Sequence, residues 1–203
     1  DSLDDLGLSR NHIKISNNTN KSLQFPINCI RMRNLDLSYN QIEYLYENIF
    51  RNLARLEFLN LNYNPLILIE ASVFINQARF EILLIKNNHI ESLDFLIGTS
   101  LKSRFRTLSF SEGKLGNLIG LKNLPDLETL YLNKHFLTLI NGSLFESYSK
   151  LETLSLNKNQ ISHLEKNNFL GLNSLITLSL ADNKIESIEE NTFYHTPKLE
   201  ILW

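Results

Sequence analysis

The sequence is poor in the residues that mark several classes of protein. Its 203 residues include one cysteine, one methionine, one tryptophan, four prolines and seven glycines. A single cysteine, Cys29, cannot form an internal disulfide, so the chain is not a disulfide-stapled scaffold and the usual clue to its compartment is missing. The low proline and glycine content excludes collagen and disorder of the Pro/Gly-rich kind.

Long apolar runs and an excess of one charge are also absent. The longest apolar runs extend only from Leu66 to Ile69 and from Ile82 to Ile85, whereas a span of the hydrocarbon layer needs about 20 residues. We therefore expect no membrane segment in this chain. Lys and Arg number 20 against 22 Asp and Glu, interspersed to a net charge of −2. Because phosphate-backbone binders rely on clustered positive charge, no nucleic-acid partner is expected.

Leucine and asparagine are abundant, with 40 and 26 copies, and they recur in the pattern L-x-x-L-x-L-x-x-N-x-I/L. Eight repeats of this pattern start near residues 3, 32, 56, 80, 105, 127, 151 and 175, and a truncated ninth starts at 199. The first repeat is 29 residues long, and the later spacings lie between 22 and 25 residues. Because one such unit cannot bury its apolar face alone, the copies must stack. The chain is therefore predicted to form a single repeat domain over residues 1–203.

The spacing within each repeat predicts its local structure. Two leucines lie two positions apart, which is the period of a strand with one buried face. The asparagine at the ninth position can bond backbone groups in the turn after the strand, so stacked copies would form a buried ladder. The predicted ladder residues are Asn11, Asn40, Asn64, Asn88, Asn159 and Asn183. Five copies also carry a phenylalanine at the nineteenth position, expected to fill the core from the far side: Phe50, Phe74, Phe145, Phe169 and Phe193.

With these motifs the sequence resembles leucine-rich-repeat proteins over its full length. The 24-residue period with its phenylalanine is similar to the subclass common in extracellular animal proteins, including Toll-like receptor ectodomains, Slit and small proteoglycans. The resemblance implies an α/β-type leucine-rich-repeat solenoid, a right-handed superhelix with a parallel β-sheet on its concave face and loops and 3₁₀ turns on its convex face. It also implies binding of a macromolecule and not catalysis.

Three neighbouring copies depart from the pattern. Gly113 and His135 replace the ladder asparagine, the copy starting at Phe105 is short and lacks the convex phenylalanine, and the preceding copy has an irregular tail, residues 94–104. These departures predict either a local change in curvature or twist, or drift at positions that tolerate it. Extracellular members of the family usually carry cysteine-rich caps. Neither end of this sequence carries one, so we expect a fragment of a longer protein.

Three N-x-S/T triplets, at Asn17, Asn20 and Asn141, could accept glycans. All three lie outside the strand motif, where a glycan would not block stacking. This favours an extracellular location, either as a secreted protein or as the ectodomain of a membrane protein. The polar segment that holds Asn17 and Asn20 has the composition of a surface loop.

Alternate strand residues leave the core, so the third, fifth, seventh and eighth positions of each repeat should face or border the open side of the sheet. Candidate partner-binding residues there form an apolar and aromatic group and a lysine pair; both an exposed apolar patch and surface tyrosines are typical of interfaces. The candidates are Tyr39, Phe58, Tyr63, Ile82 and Leu84 in the first group, with Tyr131, Lys134 and Lys158 further along. The lysine pair either meets an acidic ligand group or is simply solvated.

No catalytic or metal-ligating constellation stands out. The five histidines lack a metal-ligand spacing, and Cys29 has no nucleophile context, so it is expected to be a small buried side chain or a reactive thiol. We expect no enzyme activity, cofactor or metal. The first hypothesis is an innate-immune, Toll-like receptor that binds a protein or microbial macromolecule, with dimers of like or unlike chains compatible with it. The alternatives are an adhesion or matrix protein of the same fold, and an intracellular scaffold or bacterial effector.

Overall fold

Short parallel strands, one from each repeat, form the main element of the structure. The computed structural model describes residues 3–17, 25–97, 104–115, 118–122 and 124–203. Within these residues, nine strands form one sheet in chain order, each parallel to the next. The strands are Asp5–Gly7, Asn34–Asp36, Phe58–Asn60, Ile82–Leu84, Thr107–Ser109, Thr129–Tyr131, Thr153–Ser155, Thr177–Ser179 and Ile201–Leu202.

The register of this sheet follows the sequence repeat. Equivalent third positions lie side by side, as in Phe58 beside Ile82 and Thr129 beside Thr153. The pairing runs unchanged through the short repeat, where Thr107 lies between Ile82 and Thr129. The central leucine of each strand points into the core, and those of the second to eighth strands are fully buried: Leu35, Leu59, Leu83, Leu108, Leu130, Leu154 and Leu178. The structure is thus a solenoid of stacked repeats with a parallel sheet along one side.

Three pairs of very short parallel strands lie in the connecting segments. Lys14–Ile15 pairs with Gln41–Ile42, Tyr44–Leu45 with Leu68–Ile69, and His163–Leu164 with Ser187–Ile188. The connecting segments also contain 3₁₀ turns at Ile27–Cys29, Asp94–Leu96 and Ile119–Leu121. None of the helices found in the described residues is long and apolar enough to cross a membrane. Cys29 ends the first 3₁₀ turn. Its side chain is half-buried and packs against the core, whereas a buried side chain or a reactive thiol was expected.

Phenylalanines fill the core opposite the sheet. Phe50, Phe74, Phe145 and Phe169 are fully buried, and Phe193 is half-buried. Their rings stack between neighbouring repeats, with centroids 6.0 Å apart for Phe50 and Phe74 and 5.7 Å apart for Phe169 and Phe193. Such ring pairs add to the apolar burial that holds one repeat on the next.

The fifth repeat, which starts at Phe105 and lacks this phenylalanine, is packed in a different way. Its 3₁₀ turn Ile119–Leu121 lies against the Asp94–Leu96 turn of the preceding repeat. Gly120 allows this approach, because a Cβ atom there would lie 2.2 Å from the carbonyl oxygen of Leu93. Direct backbone contact therefore replaces the missing ring.

Candidate functional site

The ladder asparagines bridge consecutive repeats. The Asn64 amide nitrogen donates to the carbonyl oxygens of Leu37 and Leu61, at 3.0 and 3.1 Å, and its Oδ1 accepts the backbone N–H of Ile42 at 3.1 Å. Each asparagine thus satisfies two carbonyls and one amide that the strands leave unpaired. The same bonds to carbonyls and an amide occur at Asn40, Asn159 and Asn183.

Two predicted ladder residues depart from this pattern. Asn11 is exposed, and its bonds among the described residues run to Leu8 and Ser9 of its own repeat. The predicted buried ladder position of Asn11 therefore stays a prediction. Asn88 is buried and donates to Leu61 and Lys86, but its Oδ1 accepts no hydrogen bond among the described residues.

His135 does not break the ladder. Its Nε2 lies 2.9 Å from the carbonyl oxygen of Phe110, and its Nδ1 accepts the backbone N–H of Leu115 at 3.2 Å. These are the carbonyl and amide positions that an asparagine would bond in the preceding repeat. Burial lowers the pKa of the imidazole, which fits a neutral ring that donates from Nε2 and accepts at Nδ1.

Gly113 makes room for this larger ring. A Cβ atom at position 113 would lie 2.9 Å from Cε1 of His135 and 3.3 Å from the Phe110 ring. The two departures from asparagine are therefore one structural arrangement: the glycine of one repeat accommodates the histidine of the next.

A second polar row runs along the open side of the sheet at the seventh position. Asn157 Oδ1 accepts the backbone N–H of Ala181 at 2.9 Å and the hydroxyl of Ser179 at 2.6 Å. Asn133 makes the equivalent bonds to Asn157 and Ser155, at 2.9 and 2.7 Å. These amides cover the serines, so Ser155 and Ser179 are buried although the strand alternation predicted an outward position.

The residues at the eighth position of each repeat form another row, beside the row at the seventh position. All eight residues have left-handed backbone, with φ between 53° and 61°: Arg10, Tyr39, Tyr63, Asn87, Glu112, Lys134, Lys158 and Asp182. Several of their side chains contact the neighbouring repeat. The rings of Tyr39 and Tyr63 stack 4.4 Å apart, and the Arg10 guanidinium lies 4.3 Å from the centre of the Tyr39 ring.

The row continues through Lys86, which belongs to a seventh position. Its ammonium lies 5.7 Å from the centre of the Tyr63 ring and 3.1 Å from Oε1 of Glu112. The same oxygen accepts from Lys134 at 3.0 Å. Hydrogen bonds from Lys134 and Lys86 lower the pKa of the Glu112 carboxyl, and the bond to Glu112 raises the pKa of Lys86. Arg10 and Glu112 were not predicted as site residues from the sequence, because their role depends on contacts between repeats.

The predicted binding residues all lie on this side of the molecule, with different exposure. Tyr39 and Tyr131 are 40% and 36% exposed, and Lys134 and Lys158 are exposed as well. The remaining four are half-buried: Phe58, Tyr63, Ile82 and Leu84. Each of the two lysines has an acidic neighbour: Lys134 is bonded to Glu112, and Lys158 lies 3.9 Å from the carboxylate of Asp182.

A shallow depression of about 380 Å³ opens between the two rows. The residues that line it include three lysines and one glutamate: Lys86, Ser109, Ser111, Glu112, Tyr131, Asn133, Lys134, Asn157 and Lys158. We call it the lysine bay. Within the part of the chain that the structure describes, no group of three or more histidines, cysteines and acids could hold a metal ion.

Of the three predicted glycosylation sites, Asn17 and Asn141 are exposed. The Oδ1 of Asn141 accepts the backbone N–H and the hydroxyl of Ser143, both at 3.1 Å. Asn20 lies outside the described residues.

Comparisons with known proteins agree with this architecture. A family model described as leucine rich repeat matches residues 25–66, 125–175 and 149–202, which together make up more than half of the chain. No curated protein sequence matches.

Solved structures give three similar folds. In a crystal structure of a TLR13–ssRNA13 complex, the matching chain is 23% identical with a TM-score of 0.77, over 86% of this chain and 26% of that one. An internalin (inlF) of Listeria monocytogenes is 26% identical with a TM-score of 0.67, over 87% of this chain and 48% of its own. A repeat protein of Leptospira interrogans is 24% identical with a TM-score of 0.73, over 87% and 43%. This chain therefore spans between a quarter and a half of the length of the structures that it matches.

Proposed function

The chain belongs to the leucine-rich-repeat family, and we propose that it is a recognition domain that binds a protein or microbial macromolecule on the open face of its sheet. We further propose that it serves in an extracellular receptor of the innate-immune, Toll-like kind. The fold supports the general role, since solenoids of this family present an extended side for binding.

One observation carries the proposal: in seven of the eight repeats with a described eighth position, this left-handed residue is bulky or charged, and Asn87 is the exception. Left-handed backbone costs most residues about 1 kcal/mol or more, and glycine would avoid that cost. Tyrosine, arginine, lysine and glutamate stand there instead, and they contact one another across repeats. Backbone strain of this kind clusters at binding sites, where it fixes the direction of a side chain.

Site-specific photo-crosslinking tests where a partner binds. A benzophenone amino acid is placed at Tyr63 on the open face or, in a second protein, at Tyr194 in a connecting segment, where 76% of the residue is exposed. Both proteins are incubated with surface and secreted fractions of the source cells. We expect one discrete macromolecular adduct from position 63 and none of the same mass from position 194. Excess wild-type protein should abolish it. Adducts from position 194 alone would contradict binding at the open face.

The extracellular location is a proposal supported by the exposure of Asn17 and Asn141. Intact mass of the natural protein before and after enzymatic removal of N-glycans tests it. A loss of mass mapped to Asn17, Asn20 or Asn141 supports a location outside the cell, where receptor and adhesion protein remain to be separated by the identity of the partner. An unchanged mass would favour an intracellular scaffold or a bacterial protein. The similarity to an internalin fits a bacterial protein.

A further inference from the structure

The lysine bay concentrates positive charge on a chain that is acidic overall. Three lysines and one glutamate line it, whereas the whole chain has a net charge of −2. The lysines come from repeats four, six and seven, so the stacking of the repeats, and not a local run of sequence, creates the charge.

Glu112 organises the centre of the bay. One carboxylate oxygen of Glu112 accepts from Lys86 at 3.1 Å and from Lys134 at 3.0 Å. These bonds hold both ammonium groups close to that oxygen. One negative charge cannot neutralise both. Lys158 adds a third ammonium, whose only acidic neighbour among the described residues is Asp182 at 3.9 Å, with both side chains more than half exposed. An arriving carboxylate would therefore find ammonium groups that are positioned and only partly compensated.

We propose that the lysine bay binds an acidic segment of a protein partner, with a ligand carboxylate between Lys134 and Lys158. This inference rests on the proposed recognition function and names the chemistry of its ligand. The hydroxyl of Tyr131 and the serines at the floor of the bay supply additional hydrogen-bond donors.

The structure favours an acidic peptide over a nucleic acid for two reasons. Specific nucleic-acid binders commonly neutralise six to ten phosphates, and the bay offers three lysines beside a glutamate. Sequence-tolerant binding of single strands also needs free aromatic faces for base stacking. The rings of Tyr39 and Tyr63 already contact Arg10, each other and Lys86, which leaves Tyr131 as the one aromatic ring in the described lining of the bay.

The test measures binding of a dye-labelled oligoglutamate peptide by fluorescence anisotropy, at low and at physiological salt. Single-stranded oligothymidylate of equal charge is the competing probe. The variants are Lys134→Gln with Lys158→Gln, Glu112→Gln, and Lys184→Gln as a control. Lys184 is exposed at a tenth position and bonded only to Gln160 in its side-chain contacts, so the control removes the same kind of charge away from the bay.

We expect the double lysine variant to bind oligoglutamate at least about fivefold more weakly, since two favourable charge contacts are lost. Glu112→Gln should bind about threefold more tightly, because a repelling carboxylate is removed, and Lys184→Gln should match the wild type. Absence of wild-type binding, equal loss in the lysine double variant and in Lys184→Gln, or preferential lysine-dependent binding of oligothymidylate would each overturn the proposal. Circular dichroism confirms that each variant is folded.

The photo-crosslink at position 63 separates this proposal from the function on which it rests. If the adduct persists in Lys134→Gln with Lys158→Gln, the open face binds a partner, but the lysine bay does not bind an acidic segment of it. If no adduct forms in the wild type, the recognition function itself fails.

Discussion

Left-handed backbone at the eighth position sets the geometry of the site at the scale of single residues. Lys158 has a φ of 57°, and its side chain has only the loose contact with Asp182. We expect Lys158→Gly to be more stable than Lys158→Ala by about 1 kcal/mol, since glycine adopts this conformation without a steric cost. Urea denaturation of the two variants measures the difference. If alanine proves as stable as glycine, the turn does not impose the conformation described here.

The ladder asparagines should differ in importance according to what they bridge. Asn159 is buried and bonds Leu132, Leu156 and His135, whereas Asn11 is exposed and bonds only its own repeat. We expect Asn159→Ala to lower the free energy of unfolding by about 1–3 kcal/mol, because it leaves buried backbone groups without partners. The matched control, Asn11→Ala, should change it by less than about 0.5 kcal/mol. Equal effects of the two substitutions would show that the bridging bonds carry no special stability.

At the scale of elements, the joint between repeats five and six depends on a neutral histidine. Nδ1 of His135 accepts the backbone N–H of Leu115. Protonation of Nδ1 would therefore direct its own N–H at that backbone N–H. Burial lowers the pKa of this imidazole in the folded chain, and the neighbours of the ring among the described residues are Phe110, Gly113 and Leu115, none of them charged.

This arrangement predicts a loss of stability in acid. In the unfolded chain the pKa of histidine is about 6.5, so below that value the unfolded state binds more protons than the folded state. Stability should therefore be fully present above about pH 6.5 and fall as the pH decreases, by at most about 1.4 kcal/mol per pH unit. Chemical denaturation at pH 7.5 and 5.5 measures the fall, with His135→Asn as the comparison. An equal fall in that variant would assign the effect to other groups.

The sequence predicted some features of these elements and could not predict others. The strand register was predictable because apolar alternation and the 24-residue period fix which residues are equivalent. The histidine joint was not, because Gly113 and His135 look like two independent losses of asparagine until the ring is placed against the neighbouring repeat. The same holds for Ser155 and Ser179, which are buried by asparagine side chains of an adjacent repeat and not by their own strand.

At the scale of the whole molecule, the open face combines residues that are 22 to 29 positions apart in sequence, as the hydrogen-bonded pairs Lys134–Glu112 and Ser9–Ser38 illustrate. The positions of such residues along the sheet follow from the repeat, but their pairings depend on rotamers and on the charge of each neighbour. For this reason the sequence identified Tyr39, Tyr63, Lys134 and Lys158 as residues of one side and missed Glu112, which links Lys134 to Lys86.

The central test at this scale is the double variant Phe58→Ala with Tyr63→Ala. Phe58 lies beside Ile82 of the next repeat, and Tyr63 stacks on Tyr39 of the preceding one, so the substitutions remove the aromatic surface that the third repeat contributes to this face. Aromatic side chains dominate interface energies, and we expect the affinity for the partner found by crosslinking to fall by at least about tenfold.

The fold should survive this change, because both residues are half-buried and the fully buried leucines behind them are untouched. We expect the free energy of unfolding to fall by no more than about 2 kcal/mol, including the lost ring stacking. Affinity is measured by biolayer interferometry, with Tyr194→Ala as a control that removes an exposed aromatic ring from a connecting segment. Unchanged affinity in the double variant, together with a loss in the control, would place the partner on the connecting segments and not on the sheet.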